Sequence, residues 1–325
     1  MKAAVTTRAG SPEVIEYREV RTPVPEEGWA LIKIRAAGLN RAELFTRKGQ
    51  SPGVTFPRIQ GIECVGEIEE DPSGTYPVGQ KVAAIMGGMG RFIDGGYAEY
   101  MIAPLGIVFP FVSELPWKIL GAIPEMFQTT SGSLVQALDI AKGESLLIRG
   151  GTSSIGMLAC QLAKFYGLTV IATTRNAGKK NALIENGADH VLIDDGSVSE
   201  KLRELYPNGV DKLLELIGTA TLKDSLKCIR QKGLVCMTGI LSGEWTLKEF
   251  SPMGDIPQLA RLTVYMGEAE NLNKELLQEF IDAVTIGSIK LNIDRYFKLE
   301  QMAEAHVYME SNLGSGKIVA EIIHK

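Results

Sequence analysis

Residues 146–167 read LLIRGGTSSIGMLACQLAKFYG, and the reading of this stretch decides the fold. Residues 145–149 have the character of a buried strand, 150–156 form a turn of glycines and small hydroxylated residues, and 155–166 carry helical periodicity up to the breaker Gly167. Gly150 and Gly156 hold the outer positions of a G-x-x-[G/S]-x-x-G loop, with Ser153 in the middle and Gly151, Thr152, Ser154 and Ile155 around it. Such a loop lets backbone N–H groups approach a pyrophosphate at the positive end of a helix, and a large side chain there would hold the phosphate away. A tight strand-to-helix connection without a ligand uses the same residues, so the neighbouring sequence has to decide.

That sequence supplies a rhythm. Apolar runs at 169–173, 191–193, 212–216 and 234–238 read as further strands, and helical patterns at 177–186, 199–206 and 220–230 lie between them. Repeated βα units imply a parallel, doubly wound sheet with helices on both faces, a Rossmann domain over 121–264. In that setting the loop reads as a dinucleotide site. An NAD-selective site places Asp or Glu about 20 residues beyond the loop. Here TVIATTRNAGKKNAL offers Thr173, Thr174, Arg175, Lys179 and Lys180, with no acid before Glu185. Lys179 and Lys180 fall in the first turn of a helix, where the macrodipole disfavours positive charge by about 0.3 to 1 kcal/mol. A bound 2′-phosphate reverses that cost, so NADPH is the expected cofactor; solvated surface cations are the plain alternative.

Residues 1–120 differ in texture. Prolines and glycines cut them into short pieces, and WALIKIRAAG alternates Ile32, Ile34 and Ala36 with Lys33 and Arg35, the period of a strand with one wet face. ECVGEIEE, QKVAAIM and YAEYMIAP are further candidates, giving a compact β-barrel or sandwich. The tail holds helices near 274–286 and 300–310 and strands at 292–299 and 317–323, and is expected to pack back on the first domain.

Across 325 residues, 34 Lys+Arg against 39 Asp+Glu leave a net charge of −5 with no basic block, which argues against nucleic acid or an anionic membrane as the main partner. Cys64, Cys160, Cys228 and Cys236 form no CxxC pair and read as reduced packing residues. The N-terminus has no apolar h-region and no stretch is long enough to span a bilayer, so a cytoplasmic protein is expected.

AAGLNRAELFTRKG, FPRIQGIECVGEI, VGQKV, GGYAEYMIAP, GGTSSIG, GADHVLI and GSGKIVAEI together resemble the zinc-independent quinone oxidoreductase (zeta-crystallin-like) branch of the medium-chain dehydrogenase/reductase superfamily. The resemblance implies an α/β chain: a GroES-like catalytic domain over 1–120 completed by 265–325, the Rossmann domain between, and an active site in the cleft dividing them. Zinc-dependent members carry Cys where this chain has Asn40 and His where it has Ile62; Glu63 alone survives of that set, and the four-cysteine structural lobe is missing. No metal is therefore expected. By the same resemblance Asn40 and Thr129 border the nicotinamide and substrate, Glu43, Phe45, Arg47 and Glu63 line the pocket, and Gly218, Gly239, Asn312 and Lys317 are further cofactor contacts, with turn chemistry and a solvated lysine as their alternatives. Tyrosines of related enzymes appear here as Phe45 and Ser51, and Asp194 replaces another, weakening one 2′-phosphate contact. The expected activity is NADPH-dependent hydride transfer to a quinone or activated enone by a homodimer. The rivals are an alcohol dehydrogenase-like enzyme, zinc-dependent or acting on another substrate, and a non-catalytic NADPH-binding protein of the crystallin type.

Overall fold

Strand formation begins where the apolar alternation is strongest. The computed structural model describes residues 1–311 and 313–324, and Asn312 lies outside the described residues. Its strands are β1 (Lys2–Thr6), β2 (Ile15–Glu19), β3 (Trp29–Leu39), β4 (Arg58–Ile59), β5 (Glu63–Glu70), β6 (Lys81–Ile85), β7 (Tyr100–Pro104), β8 (Val108–Pro110), β9 (Ser145–Arg149), β10 (Thr169–Thr174), β11 (His190–Ile193), β12 (Val210–Glu215), β13 (Ile229–Met237), β14 (Arg261–Val264), β15 (Ile293–Lys298) and β16 (Lys317–Glu321). The chain divides into two units, Met1–Gln128 with Gly267–Lys325, and Thr129–Met266.

In the first unit β3 is the organising strand. Ala30, Ile32, Ile34 and Ala36 are fully buried while Lys33 and Arg35 stay half-exposed, as the two-residue period requires. A seven-stranded sheet has the order β15-β16-β3-β5-β6-β8, with β7 also paired to β3; a second sheet has the order β2-β1-β4. The returning tail enters through β16, antiparallel to β3 with Val319 opposite Gly38. The helix Lys274–Thr285 buries Phe280 against Phe127, with ring centroids 5.0 Å apart.

In the second unit the six strands are parallel in the order β11-β10-β9-β12-β13-β14. This is the doubly wound Rossmann order, and it reverses beside β9, so the crevice at a ligand-binding switch point lies beyond the end of β9 where the glycine loop starts. Leu147, Ile171, Leu213 and Val235 from four adjacent strands form the core with Leu202, Leu222 and Leu226 of the covering helices. β13 begins at Ile229, five residues before the apolar run that signals it, because Ile229 pairs with Val210 ahead of a register shift. Among the described residues no helix is long and apolar enough to cross a membrane.

Candidate functional site

Ser153 caps the helix Ser154–Phe165, its hydroxyl accepting from Gly156 N at 3.1 Å and donating to Gly150 O at 2.9 Å. Gly150 takes φ +89°, and a Cβ on Gly156 would stand 2.5 Å from Gly150 O. Glycine is required at both places, for the left-handed turn and for the close approach of helix to strand. The first two amides of the loop are already used: Gly150 N donates to the Thr173 hydroxyl at 3.1 Å and Gly151 N to Thr173 O at 3.0 Å. Both amides are thus held by the end of β10. Among the described residues the amides left over are those of Thr152, Ser154 and Ile155, at the half-exposed head of the helix. The loop therefore fits a dinucleotide, since three amides stay open at the head of the helix.

At the end of β10, Thr174 is buried, and its hydroxyl accepts from Asn176 N at 3.1 Å. Arg175 and Lys180 are exposed and Lys179 half-buried, and among the described residues none of the three side chains makes a hydrogen bond or ion pair. Asn176 caps the turn Ala177–Lys179 through Gly178 N at 2.9 Å, ahead of the helix Lys180–Glu185. Gly218 and Gly239 lie in turns around Glu215: Gly218 N donates to Glu215 Oε1 at 3.1 Å, and Gly239 N to Glu215 O at 3.1 Å.

Sequence reasoning missed the group beneath the loop. Arg149 is fully buried, and its Nε and Nη2 donate to Asp194 Oδ2 and Oδ1 at 2.8 and 3.0 Å. Nη1 reaches Asp224 Oδ2 at 2.7 Å and the Ser225 hydroxyl at 3.0 Å. Burial opposes the Arg149 charge, yet Asp194, Glu215 and Asp224 hold its pKa above the ordinary value. Asp194, met in the sequence only as a missing tyrosine, is thus a neutralised partner of Arg149. The available signal was a charge at the end of the apolar run LLIR, since a buried charge needs a partner.

In the first unit Asn40 precedes the helix Arg41–Arg47, and Glu43 Oε2 accepts from Asn40 N at 2.8 Å. The Asn40 carboxamide donates from Nδ2 to Glu63 Oε1 at 2.9 Å and accepts at Oδ1 from Lys317 Nζ at 2.5 Å. Lys317 Nζ also lies 2.7 Å from Glu63 Oε1 and 3.1 Å from Glu125 Oε2, and Glu63 Oε2 accepts from Glu125 N at 2.8 Å, at the head of the helix Pro124–Ser131. Burial pulls the Lys317 pKa down, but Glu63 and Glu125 raise it above the usual lysine value. Burial pushes the Glu43 carboxyl up to about 7, against the Ile62 amide and Lys317, which favour its ionised form. Three expectations are corrected. Glu43 and Glu63 are 1 % and 0 % exposed and support Asn40 from behind rather than lining an open pocket. Lys317 is neither solvated nor free to meet a cofactor, because all three ammonium protons have partners inside the protein.

Arg47 is the further correction. It is 0 % exposed; its Nε donates to Gly10 O at 3.0 Å, Nη1 meets His306 Nδ1 at 3.1 Å and Nη2 meets Glu310 Oε1 at 2.5 Å. It ties its helix to the helix Met302–Glu310 instead of facing substrate. Phe45 is half-buried on the same helix as Arg47. Thr129 belongs to the second unit and is 9 % exposed; its carbonyl accepts from the Ser133 hydroxyl at 2.6 Å, just before the π-helical turn Gly132–Ala137.

His306 is buried, with Nε2 unpaired among the described residues, and burial and Arg47 lower its pKa to about 3. Below an unfolded-state value of about 6.5 the unfolded chain takes up a proton that the folded one refuses. Stability is therefore lost as pH falls from 6.5 toward 3. Glu43 acts with the opposite sign, since the folded state keeps a proton between about 4.5 and 7 that the unfolded chain releases. His306→Gln is expected to flatten the acid limb of urea midpoints measured from pH 7 to pH 4; an unchanged limb would assign acid lability elsewhere.

Two family models match: the alcohol dehydrogenase GroES-like domain over residues 26–113 and zinc-binding dehydrogenase over 154–282. The quinone oxidoreductase of Homo sapiens is 28% identical, with 98% of this chain and 97% of that protein covered. Among solved structures, an NAD-dependent alcohol dehydrogenase superposes with TM-score 0.88 at 23% identity over 99% of this chain and 100% of the other. A mycobacterial protein solved with NADPH gives TM-score 0.86 at 23% identity, with 99% of each chain covered. The second family model's description implies zinc, and the residues do not fit it. Ile62 offers no donor, Asn40 and Glu63 are both bound to the Lys317 ammonium, and a divalent ion there would face that charge. Among the described residues no group of three or more His, Cys, Asp or Glu is placed to hold a metal. The two matched domains in order, the GroES-like sheet and the doubly wound sheet carrying a dinucleotide loop, and full-length similarity to quinone oxidoreductases place the chain in the medium-chain dehydrogenase/reductase superfamily of oxidoreductases.

Proposed function

We propose that the protein is an NADPH-dependent reductase that delivers hydride to a quinone or an activated enone without a metal ion. The observation that carries this reading is the Asn40 cluster, which holds a neutral amide donor where a zinc-dependent relative needs ligands. When bound, the nicotinamide supplies the hydride. This chain's residues supply position and charge. The amides of Thr152, Ser154 and Ile155 hold the diphosphate, and Asn40 donates to the oxygen on which negative charge develops. A quinone or enone spreads that charge over its own conjugated system and needs only such a donor, whereas loss of hydride from an alcohol needs its alkoxide stabilised, as a Lewis acid does. The full-length similarity to the human quinone oxidoreductase supports the acceptor class.

The test is NADPH oxidation against a panel of quinones, enones and aldehydes, with ethanol and benzyl alcohol oxidation alongside, before and after prolonged chelation. Quinone or enone turnover that survives chelation is expected. Robust alcohol oxidation, activity lost with a stoichiometric metal, or no turnover of any conjugated acceptor would overturn the reading.

The charges of Arg175, Lys179 and Lys180, which make no ion pair among the described residues, support NADPH over NADH, and Asp194 does not oppose a 2′-phosphate because Arg149 neutralises it. A charge-assisted hydrogen bond contributes about 1.5 to 3 kcal/mol. Arg175→Ala is accordingly expected to weaken NADPH about 10- to 150-fold by fluorescence titration, with NADH nearly unaffected. Equal losses for both cofactors would make Arg175 a structural residue.

A further inference from the structure

We infer that Lys317 is a positioning residue that locks the Asn40 carboxamide in one orientation and strengthens it as a donor. The inference rests on the reading of Asn40 as the group that meets the acceptor oxygen.

The two ends of an asparagine amide are alike in shape, so its neighbours decide which faces where. Here the neighbours are unambiguous. An ammonium only donates and an ionised carboxylate only accepts, and Asn40 lies between the Lys317 ammonium at 2.5 Å and the Glu63 carboxylate at 2.9 Å. A flipped amide would set oxygen against carboxylate and NH2 against ammonium. The observed orientation fixes Oδ1 on Lys317, spends one Nδ2 proton on Glu63, and leaves the second proton without a partner among the described residues. The ammonium on Oδ1 also polarises the amide, which makes that remaining N–H a better donor.

The lock is built into the backbone as well as the side chains. The backbone N–H of Asn40 is held by Glu43, and Glu63 is anchored by Glu125 N at 2.8 Å. Gly38, just before Asn40 on β3, leaves the room. A Cβ there would come within 2.2 Å of Glu63 Oε1 and 2.7 Å of Lys317 Cε. Lys317 is 1 % exposed and bound to Asn40, Glu63 and Glu125, so its influence on the reaction passes through Asn40.

The test compares the paired change Lys317→Met with Glu125→Gln, which removes an opposite charge from each side, in the wild-type and Asn40→Ala backgrounds. Steady-state kcat and KM for the best conjugated acceptor, NADPH affinity by fluorescence and thermal unfolding are measured for each. A donor displaced by about 1 Å costs up to about 100-fold in rate. The pair is expected to lower kcat by about 10- to 100-fold in the wild-type background, with NADPH affinity retained, and by less than about threefold once Asn40 is Ala. Equal fold losses in both backgrounds would overturn the inference and leave Lys317 a packing residue. Should the pair fail to fold, Gly38→Ala keeps every charged group and displaces Glu63 and Lys317; the same Asn40-dependent loss is expected from it, and a loss independent of Asn40 overturns the inference. Unchanged turnover in Asn40→Ala alone would instead overturn the reading of Asn40 as the donor.

Discussion

Arg149→Met is expected to lower stability by about 3 to 5 kcal/mol and the melting transition of the second unit by roughly 10 to 20 °C. The side chain is fully enclosed, and its removal strands Asp194 and Asp224, which it holds at 2.8 and 2.7 Å, beside the buried Glu215. Burial already raises the Glu215 pKa, against Ser225 and Arg149, which lower it, so losing Arg149 removes one of the influences that keep it ionised. Breaking one side of a buried ion pair is costly because the partner's desolvation is no longer offset. Adding Asp194→Asn and Asp224→Asn to Arg149→Met should recover a large part of the loss, which calorimetry on the three proteins reads directly. A single variant as stable as wild type would mean that water replaces the guanidinium.

Arg47→Met is expected to cost about 3 kcal/mol, the lower end of the range for a broken buried pair, because Glu310 keeps Lys48 at 2.8 Å. The loss comes from Gly10 O and His306 Nδ1, both left without their donor. The kinetic consequence separates this assignment from a pocket role. Well below the melting temperature, kcat and the acceptor KM of Arg47→Met should stay near wild type, since the guanidinium is enclosed. A kcat that falls more than about tenfold in folded protein would return Arg47 to the substrate pocket.

The sequence alone determined the architecture. The strand at 63–70 is seen in the structure as Glu63–Glu70, and the helix predicted from 274 starts at Lys274, because period and punctuation are local properties of the chain. The glycine loop was legible for the same reason: Gly150 and Gly156 answer to backbone geometry within seven residues. Which loop amides remain for phosphate was not legible, since Thr173, 23 residues from Gly150, takes the first two. The charged residues of the apolar segments were the true blind spot. Arg149 and Lys317 announce only that a buried charge requires a partner, while Asp194 lies 45 residues from one and Asn40 277 residues from the other. Period and composition carry no information on such pairings. They arise when β16 is laid against β3 and β11 is placed two strands from β9, so the tertiary structure alone decided that Lys317 serves Asn40, that Asp194 is neutralised by Arg149, and that Arg47 braces two helices.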